Sequence, residues 1–179
     1  SNAGMTNRLP PPAITKLITF TPANAGSSRA TIQGDVVVFD VPSGERKLVL
    51  DGPTITARRT AAVSVLAAQR LAPCKQGPVL IVGAGVQGKS HLEAFAEGMG
   101  ITEFFIASRS AASAERLVAH AQSLGLKARV APDANAALAG VHVTAIGHSA
   151  SAVVLSALPR PDGFIAAVGA FTPAMVELS

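Results

Sequence analysis

The stretch PVLIVGAGVQGKSHLEAF, residues 78–95, decides the fold of this chain. It opens with a short apolar run, breaks on Gly83, Gly85 and Gly88, and continues with apolar residues at helical spacing. An apolar run of this length is typical of a buried strand, and the change of period after the glycines indicates a helix. The stretch therefore predicts a strand, a tight glycine turn and a helix in immediate succession.

Strands and helices alternate through the rest of the chain from Pro78 onward. The candidate strands are PVLIV, EFFIAS, KARVA, VHVTAI and FIAAVGA, and the candidate helices are VQGKSHLEAFAEGMG, SAERLVAHAQSLG and DANAALAG. Gly100 and Gly125 stand where helix C-caps are expected. Strands separated by single helices predict a parallel sheet covered on both faces, so we expect an α/β fold with a Rossmann-type doubly wound sheet.

The chain before this region has a different pattern. ITKLITF, residues 14–20, has the length and β-branching of a strand, and residues 31–51 predict an antiparallel hairpin whose turn uses Gly44 at positive φ. TITARRTAAVSVLAAQRLA then repeats Ala, Leu and Val at helical spacing, with Asp51 or Thr54 available as the cap. We expect this helix to be long and largely buried.

The glycine loop fits the pattern G-x-G-x-x-G in the context that the pattern requires, after a strand and at the start of a helix. Gly83 permits the tight turn, Gly85 lets backbone N–H groups approach a pyrophosphate, and Gly88 lets helix and strand pack closely. A glycine-rich turn without a ligand is the alternative. We predict a dinucleotide site, with cofactor-binding residues Gly83, Ala84, Gly85, Val86, Gln87 and Gly88.

The end of the second predicted strand bears on the choice of dinucleotide. An Asp or Glu there would bind the ribose 2′-hydroxyl, but this chain has Ser108, Arg109 and Ser110. A guanidinium beside two hydroxyl groups suits a 2′-phosphate, so NADP(H) is preferred and NAD(H) remains an alternative. In the other interpretation the two serines cap the next helix and Arg109 lies in solvent. Ala145, Ile146 and Val168, in later predicted strands, are assigned to the same site.

The composition excludes several functional classes. The 179 residues are 49% hydrophobic and 15% charged, which is typical of a packed globular protein. The charge of +4 is scattered, and no Trp or Tyr offers a stacking surface, so we expect no nucleic-acid partner. Cys74 is the only cysteine, and the four histidines show no metal-ligand spacing. We expect a soluble cytoplasmic protein without a membrane segment or a metal. The initial Ser-Asn-Ala is typical of an expression scar.

Three segments together resemble the ornithine cyclodeaminase and mu-crystallin family: ITKLITFTPANA, LDGPTITARRTAAVSVLAAQRLAP, and the run from VLIVGAGVQGKSHLEAF through FIASRS to FIAAVGAFTPAMVEL. The most specific element is the TxxRTAA helix at a fixed distance before the glycine loop. The resemblance implies part of a smaller α+β substrate and dimerisation domain with its linking helix over residues 4–75, a Rossmann domain over 76–179, and a homodimer. It also implies a nicotinamide-dependent reaction on small amino or imino acids.

By this resemblance Lys16 and Arg59 face the substrate. Arg59 would bind an α-carboxylate bidentately and orient the neighbouring C=N carbon for hydride transfer. Lys16 would keep the site electropositive and supply the proton that an imine must hold. Without the resemblance, Arg59 reads as a helix-surface residue and Lys16 as a charge that protects a strand edge.

Two departures from the family bear on the activity. Ornithine cyclodeaminases place an Asp, implicated in handling the amine of ornithine, where this chain has Phe171, which favours a reductase of cyclic imino acids. The expected reaction reduces Δ1-pyrroline-2-carboxylate or Δ1-piperideine-2-carboxylate to proline or pipecolate. A cyclodeaminase, an alanine-dehydrogenase-like enzyme and a non-catalytic NADPH-binding protein remain alternatives. Relative to the family, we also expect segments before ITKLITF and after VELS to be missing.

Overall fold

The computed structural model describes residues 11–24, 27–147, 153–170 and 175–178. The chain forms two compact units, with the boundary between Thr56 and Ala57. Within the described part of the chain, no helix combines the length and the apolarity that crossing a membrane requires.

The first unit is built on a three-stranded antiparallel sheet in the order β1-β2-β3. Its strands confirm the predicted strand and hairpin: β1 (Ala13–Phe20), β2 (Ile32–Phe39) and β3 (Arg46–Asp51). Gly44 has a φ of 70° in the turn between β2 and β3, as predicted. Helix α1 (Gly52–Leu71) follows, and the Asp51 carboxylate accepts a hydrogen bond from the Thr54 N–H at 2.7 Å. Of the two candidate caps, the structure uses Asp51.

The second unit contains five parallel strands in the order β6-β5-β4-β7-β8. This is a Rossmann-type doubly wound sheet, whose direction of winding reverses between β4 and β7. Every strand and helix predicted from Pro78 onward is present. They are β4 (Val79–Val82), α2 (Val86–Met99), β5 (Glu103–Ala107), α3 (Ala111–Ser123), β6 (Lys127–Val130), α4 (Ala134–Leu138), β7 (Val143–Ile146) and β8 (Phe164–Ala167).

The core lies on both faces of this sheet, and β4 contributes side chains to each face. Val79 and Ile81 belong to an apolar cluster with side chains of α1, α2 and α3. Leu80 and Val82 belong to a second cluster, to which α4 and Leu155 contribute. All four residues are buried, which explains why the strand reads as one unbroken apolar run.

Helix α1 corrects the expectation of a largely buried helix. Val65 and Ala68 lie in the core of the second unit, whereas Val63 and Leu66 are 59% and 54% exposed. The sequence-based domain boundary at residues 75 and 76 placed the whole helix in the first domain. In the structure, the part of α1 after Thr56 belongs to the second unit because its small residues pack in that core.

A buried histidine links α1 to α2. His91 is fully buried, its Nδ1 lies 2.8 Å from the Gln87 carbonyl oxygen, and its Nε2 lies 3.0 Å from the Ser64 hydroxyl. Because a carbonyl only accepts, Nδ1 carries the proton and Nε2 accepts from Ser64 in the neutral ring. Burial lowers the pKa of His91 below its usual value, although the bond to Gln87 opposes the shift.

We therefore expect the protein to lose stability as the pH falls below about 6.5, where the unfolded chain takes up a proton that His91 resists in the folded state. The melting temperature should fall between pH 7.5 and 5.5, and the fall should be smaller in His91→Gln. The difference between the two proteins isolates His91, because the other histidines are common to both. Equal slopes would show that His91 does not have the lowered pKa.

Candidate functional site

The carboxyl ends of β4 to β8 meet at one edge of the sheet, because all five strands are parallel. This carboxyl edge is where doubly wound folds bind their ligands, in the crevice at the strand-order reversal. The segments that follow the strands there are the glycine loop after β4, the serine-arginine turn after β5, Gly147 after β7 and Val168–Ala170 after β8.

The glycine loop has the geometry that its sequence predicts. Gly83 is buried at a φ of 103°, and its N–H donates to the Ala107 carbonyl oxygen at 2.8 Å. A Cβ on Gly88 would overlap the carbonyl oxygen of Gly83, so only glycine allows this approach of helix to strand. A Cβ on Gly85 would meet nothing within 4 Å. The fold therefore requires glycine at 88, whereas the space beside Gly85 is left open to a ligand.

The N-terminus of α2 is suited to an anion. Its N-cap is Gly85, which has no side chain to cap the first turn, and the first helical bond runs from the Lys89 N–H to the Gly85 carbonyl oxygen. The N–H groups of the first turn precede that bond and carry the positive end of the helix dipole. Ala84 is half-buried and Val86 is 71% exposed, so the loop apex borders open space.

Gln87 contributes a buried polar atom that lacks a partner. Its Oε1 has no hydrogen bond within the part of the chain that the structure describes. Burying such an oxygen unpaired costs free energy, so a donor that reached it would stabilise this position. This orphaned oxygen and the open space at Gly85 agree with the expectation of a polar ligand at the loop.

Gly147 lies at the carboxyl edge beside the glycine loop but was not among the predicted residues. It follows β7, donates from its N–H to the Val82 carbonyl oxygen at 2.9 Å, and lies against Gln87 and Gly88. A Cβ there would lie 2.9 Å from Gln87 Cβ and 3.2 Å from Gly88 N. The available signal was a glycine directly after an apolar strand, at the edge where the glycine loop also lies.

The turn after β5 serves as a helix cap. Ser110 is the N-cap of α3, and its hydroxyl oxygen accepts from the Ser113 N–H at 3.3 Å. The Ser108 hydroxyl oxygen accepts from the Ser110 N–H at 3.4 Å, and Arg109 is exposed. These contacts agree with the capping interpretation and do not exclude the phosphate interpretation, because both hydroxyl protons remain available to donate.

The three later residues assigned to the site differ in accessibility. Ala145 and Ile146 are buried within β7, with their side chains in the two opposite core clusters. Their side chains therefore serve the core. Val168 is half-buried just after β8, and its N–H donates to the Ile146 carbonyl oxygen at 3.1 Å. Of the three, Val168 is the side chain nearest to the open carboxyl edge.

The predicted substrate residues lie in different units. Lys16 is exposed on β1 of the first unit, opposite Val36 in the sheet. Arg59 is exposed on α1 in the second unit, as is its neighbour Arg58. Phe171, which weighed against a cyclodeaminase, lies outside the described residues.

An open cleft of about 550 Å³ lies in the first unit, lined in part by Arg29, Gln33 and Asp51. It contains no predicted site residue, and these three polar side chains are exposed. A ligand site needs a few polar groups held in place by burial, so this cleft offers weaker grounds for a site than the carboxyl edge.

Relatives with assigned activities match most of the chain. The Δ1-pyrroline-2-carboxylate reductase 1 of Burkholderia multivorans is 34% identical over 172 residues, covering 93% of this chain and 53% of that protein. The ketimine reductase mu-crystallin of Mus musculus is 33% identical over 165 residues, covering 92% and 52%. The chain thus spans about half the length of the curated relatives it matches.

Solved structures share the fold over the same extent. The Thermococcus litoralis Δ1-pyrroline-2-carboxylate reductase, in complex with NADH and L-proline, has a TM-score of 0.83 at 23% identity and covers 93% of this chain and 52% of that one. An archaeal alanine dehydrogenase dimer with bound NAD has a TM-score of 0.82 at 25% identity, covering 94% and 52%.

The sequence profile of one family extends over both units of the chain, from residue 10 to residue 179. Its match agrees with the relatives above and with the resemblance seen in the sequence. The chain belongs to the ornithine cyclodeaminase/mu-crystallin family.

Proposed function

We propose that the protein to which this chain belongs is an NAD(P)H-dependent reductase of a cyclic imino acid. The substrate would be Δ1-pyrroline-2-carboxylate or Δ1-piperideine-2-carboxylate, and the product proline or pipecolate. The observation that carries the proposal is the glycine loop, whose tight turn, open apex and unpaired Gln87 oxygen suit a dinucleotide. Relatives of the chain named Δ1-pyrroline-2-carboxylate reductase and ketimine reductase support it.

The cofactor would be held along the carboxyl edge. The N–H groups at the start of α2 would bind the pyrophosphate, and Ser108, Arg109 and Ser110 would bind the adenosine ribose. No carboxylate stands at the end of β5 to accept from a 2′-hydroxyl, so NADP(H) is preferred and NAD(H) is the alternative. The bound cofactor supplies the hydride, while the protein binds, orients and excludes water.

Arg59 and Lys16 would act on the substrate. An arginine binds a carboxylate through two parallel hydrogen bonds, which fixes the plane of the imino acid and therefore the face that its C2 carbon presents. A lysine keeps a proton on or near the imine nitrogen, and the protonated imine is the better hydride acceptor. One hydride at C2 and one proton at nitrogen give the saturated cyclic amino acid.

An alanine-dehydrogenase-like activity is the second candidate. The archaeal alanine dehydrogenase shares the fold at 25% identity, and reduction of an open-chain imine needs the same carboxylate clamp and hydride donor. The two candidates differ in the size of the substrate that the pocket accepts, so they are separated by offering cyclic and open-chain substrates to the same preparation.

We also propose that the protein is a homodimer through the first unit. Apolar side chains on its sheet are about half or more exposed: Ile14, Leu17, Phe20, Leu48 and Val49. β1 and β3 are both edge strands, and apolar edges are usually covered in the native assembly. The archaeal alanine dehydrogenase, which is a dimer, supports this proposal. We further propose a cytoplasmic location, which the single cysteine suits.

The reductase proposal is tested by mixing the whole protein with NADPH or NADH and each cyclic imino acid, and following absorbance at 340 nm. We expect consumption of NADPH, with proline or pipecolate as the product. Arg59→Ala should lower kcat/KM by about 100-fold, because it removes a charge-assisted carboxylate contact. Arg58→Ala is the matched control on the same helix and should change kcat/KM by less than about twofold.

Equal losses in the two arginine variants would contradict the role of Arg59. Absence of turnover on every imino acid, with NADPH still bound, would contradict the reductase and identify a binding protein instead.

The glycine loop allows a second test, because its two glycines serve different purposes. Gly88→Ala should lower the free energy of unfolding by about 1–3 kcal/mol, since its methyl group overlaps the Gly83 backbone. Gly85→Ala should leave that free energy within about 0.5 kcal/mol and still weaken NADPH binding. Chemical denaturation and NADPH fluorescence titration measure the two effects. Wild-type affinity in Gly85→Ala would show that the ligand does not approach this loop.

A further inference from the structure

Glu177 is a buried acidic residue with a specific pair of partners. It is 5% exposed, its Oε1 accepts from the Gly169 N–H at 3.0 Å, and its Oε2 accepts from the Ala170 N–H at 3.1 Å. Both carboxylate oxygens are therefore engaged by the backbone just after β8. A carboxylate held by two N–H donors makes charge-assisted bonds that are stronger than neutral ones.

The backbone of Glu177 binds a second segment. Its carbonyl oxygen accepts from the Val154 N–H at 3.0 Å and from the Leu155 N–H at 3.2 Å, and the next residue, Leu178, pairs with Leu155 in a parallel bridge. Val154 and Leu155 belong to the connection between β7 and β8. One residue thus joins the segment that precedes β8 to the turn that follows it.

The position of this junction relative to the proposed cofactor follows from the strand order. β5 and β6 lie on one side of β4, and β7 and β8 lie on the other. The pyrophosphate would bind at the glycine loop after β4, and the adenosine ribose would bind at the end of β5. The other half of the dinucleotide must then extend towards the carboxyl ends of β7 and β8, where Gly147 and Val168 lie.

We propose that Glu177 is a positioning residue for the nicotinamide half of the cofactor. It acts through the backbone of Gly169 and Ala170, which it holds at the carboxyl edge. Its side chain is buried against that backbone, so it does not itself contact the ligand. The inference rests on the proposed function and adds to it a residue that fixes one end of the dinucleotide. The adenosine end is held independently, on the opposite side of β4.

Two probes separate the nicotinamide from the rest of the cofactor: NADPH, and 2′-phospho-ADP-ribose, which has the same adenosine, pyrophosphate and second ribose but lacks the nicotinamide ring. Their dissociation constants would be measured by calorimetry for the wild-type protein and for Glu177→Gln, which turns one acceptor into a donor facing an N–H group. We expect Glu177→Gln to weaken NADPH binding by about tenfold or more and 2′-phospho-ADP-ribose binding by less than about twofold. Glu97→Gln, at an exposed acid of α2, is the matched control and should change neither.

Glu177→Asp keeps the charge and withdraws it by one methylene, so it serves as the second variant if Glu177→Gln lowers the melting temperature. It should shift the ratio of the two dissociation constants in the same direction. An equal loss for both probes, or no loss for either, would overturn the positioning role while leaving the dinucleotide site intact. If the wild-type protein bound neither probe, the proposed function would be overturned, and this inference with it.

Discussion

The contact between Gly88 and the Gly83 carbonyl oxygen is the constraint on which the site depends. Helix α2 can start directly over the end of β4 only because no Cβ stands between them. The same approach places the uncapped first turn of α2 at the carboxyl edge, beside the reversal of strand order. If the helix began farther from the strand, its N–H groups would not converge on the crevice where the other loops meet, and the proposed pyrophosphate site would be lost.

Gly147 extends this constraint to the neighbouring strand. It packs against Gln87 and Gly88 from the end of β7, so the end of β7 lies close to the start of α2 at a position where a Cβ would intrude. His91 stabilises the same helix through hydrogen bonds to the Gln87 carbonyl oxygen and to the Ser64 hydroxyl of α1. The start of α2 is therefore held by β4, by β7 and, through His91, by Ser64 of α1.

The sequence was sufficient where a local pattern determines the structure. β4 was predictable because a strand buried on both faces is apolar at every position, and Gly83 because the loop requires a positive φ. Gly147 and Glu177 were not predictable from a local pattern. Gly147 is constrained by residues at least 59 positions earlier in the chain, and Glu177 by residues at least 7 positions earlier. The exposure of Val63 and Leu66 was missed because an Ala-rich helix has small residues on all sides, so its pattern does not show which face is covered.

Amide chemical shifts of the ¹⁵N-labelled protein, recorded during titration with NADPH, test most directly whether the carboxyl edge holds a dinucleotide. We expect the largest changes at Gly83–Gly88, Ser108–Ser110, Gly147 and Val168–Ala170, which are far apart in sequence and share only this edge of the sheet. Changes confined to the opposite edge, around His142 and Gly163, or no changes at saturating NADPH, would contradict the assignment of the glycine loop as a cofactor site.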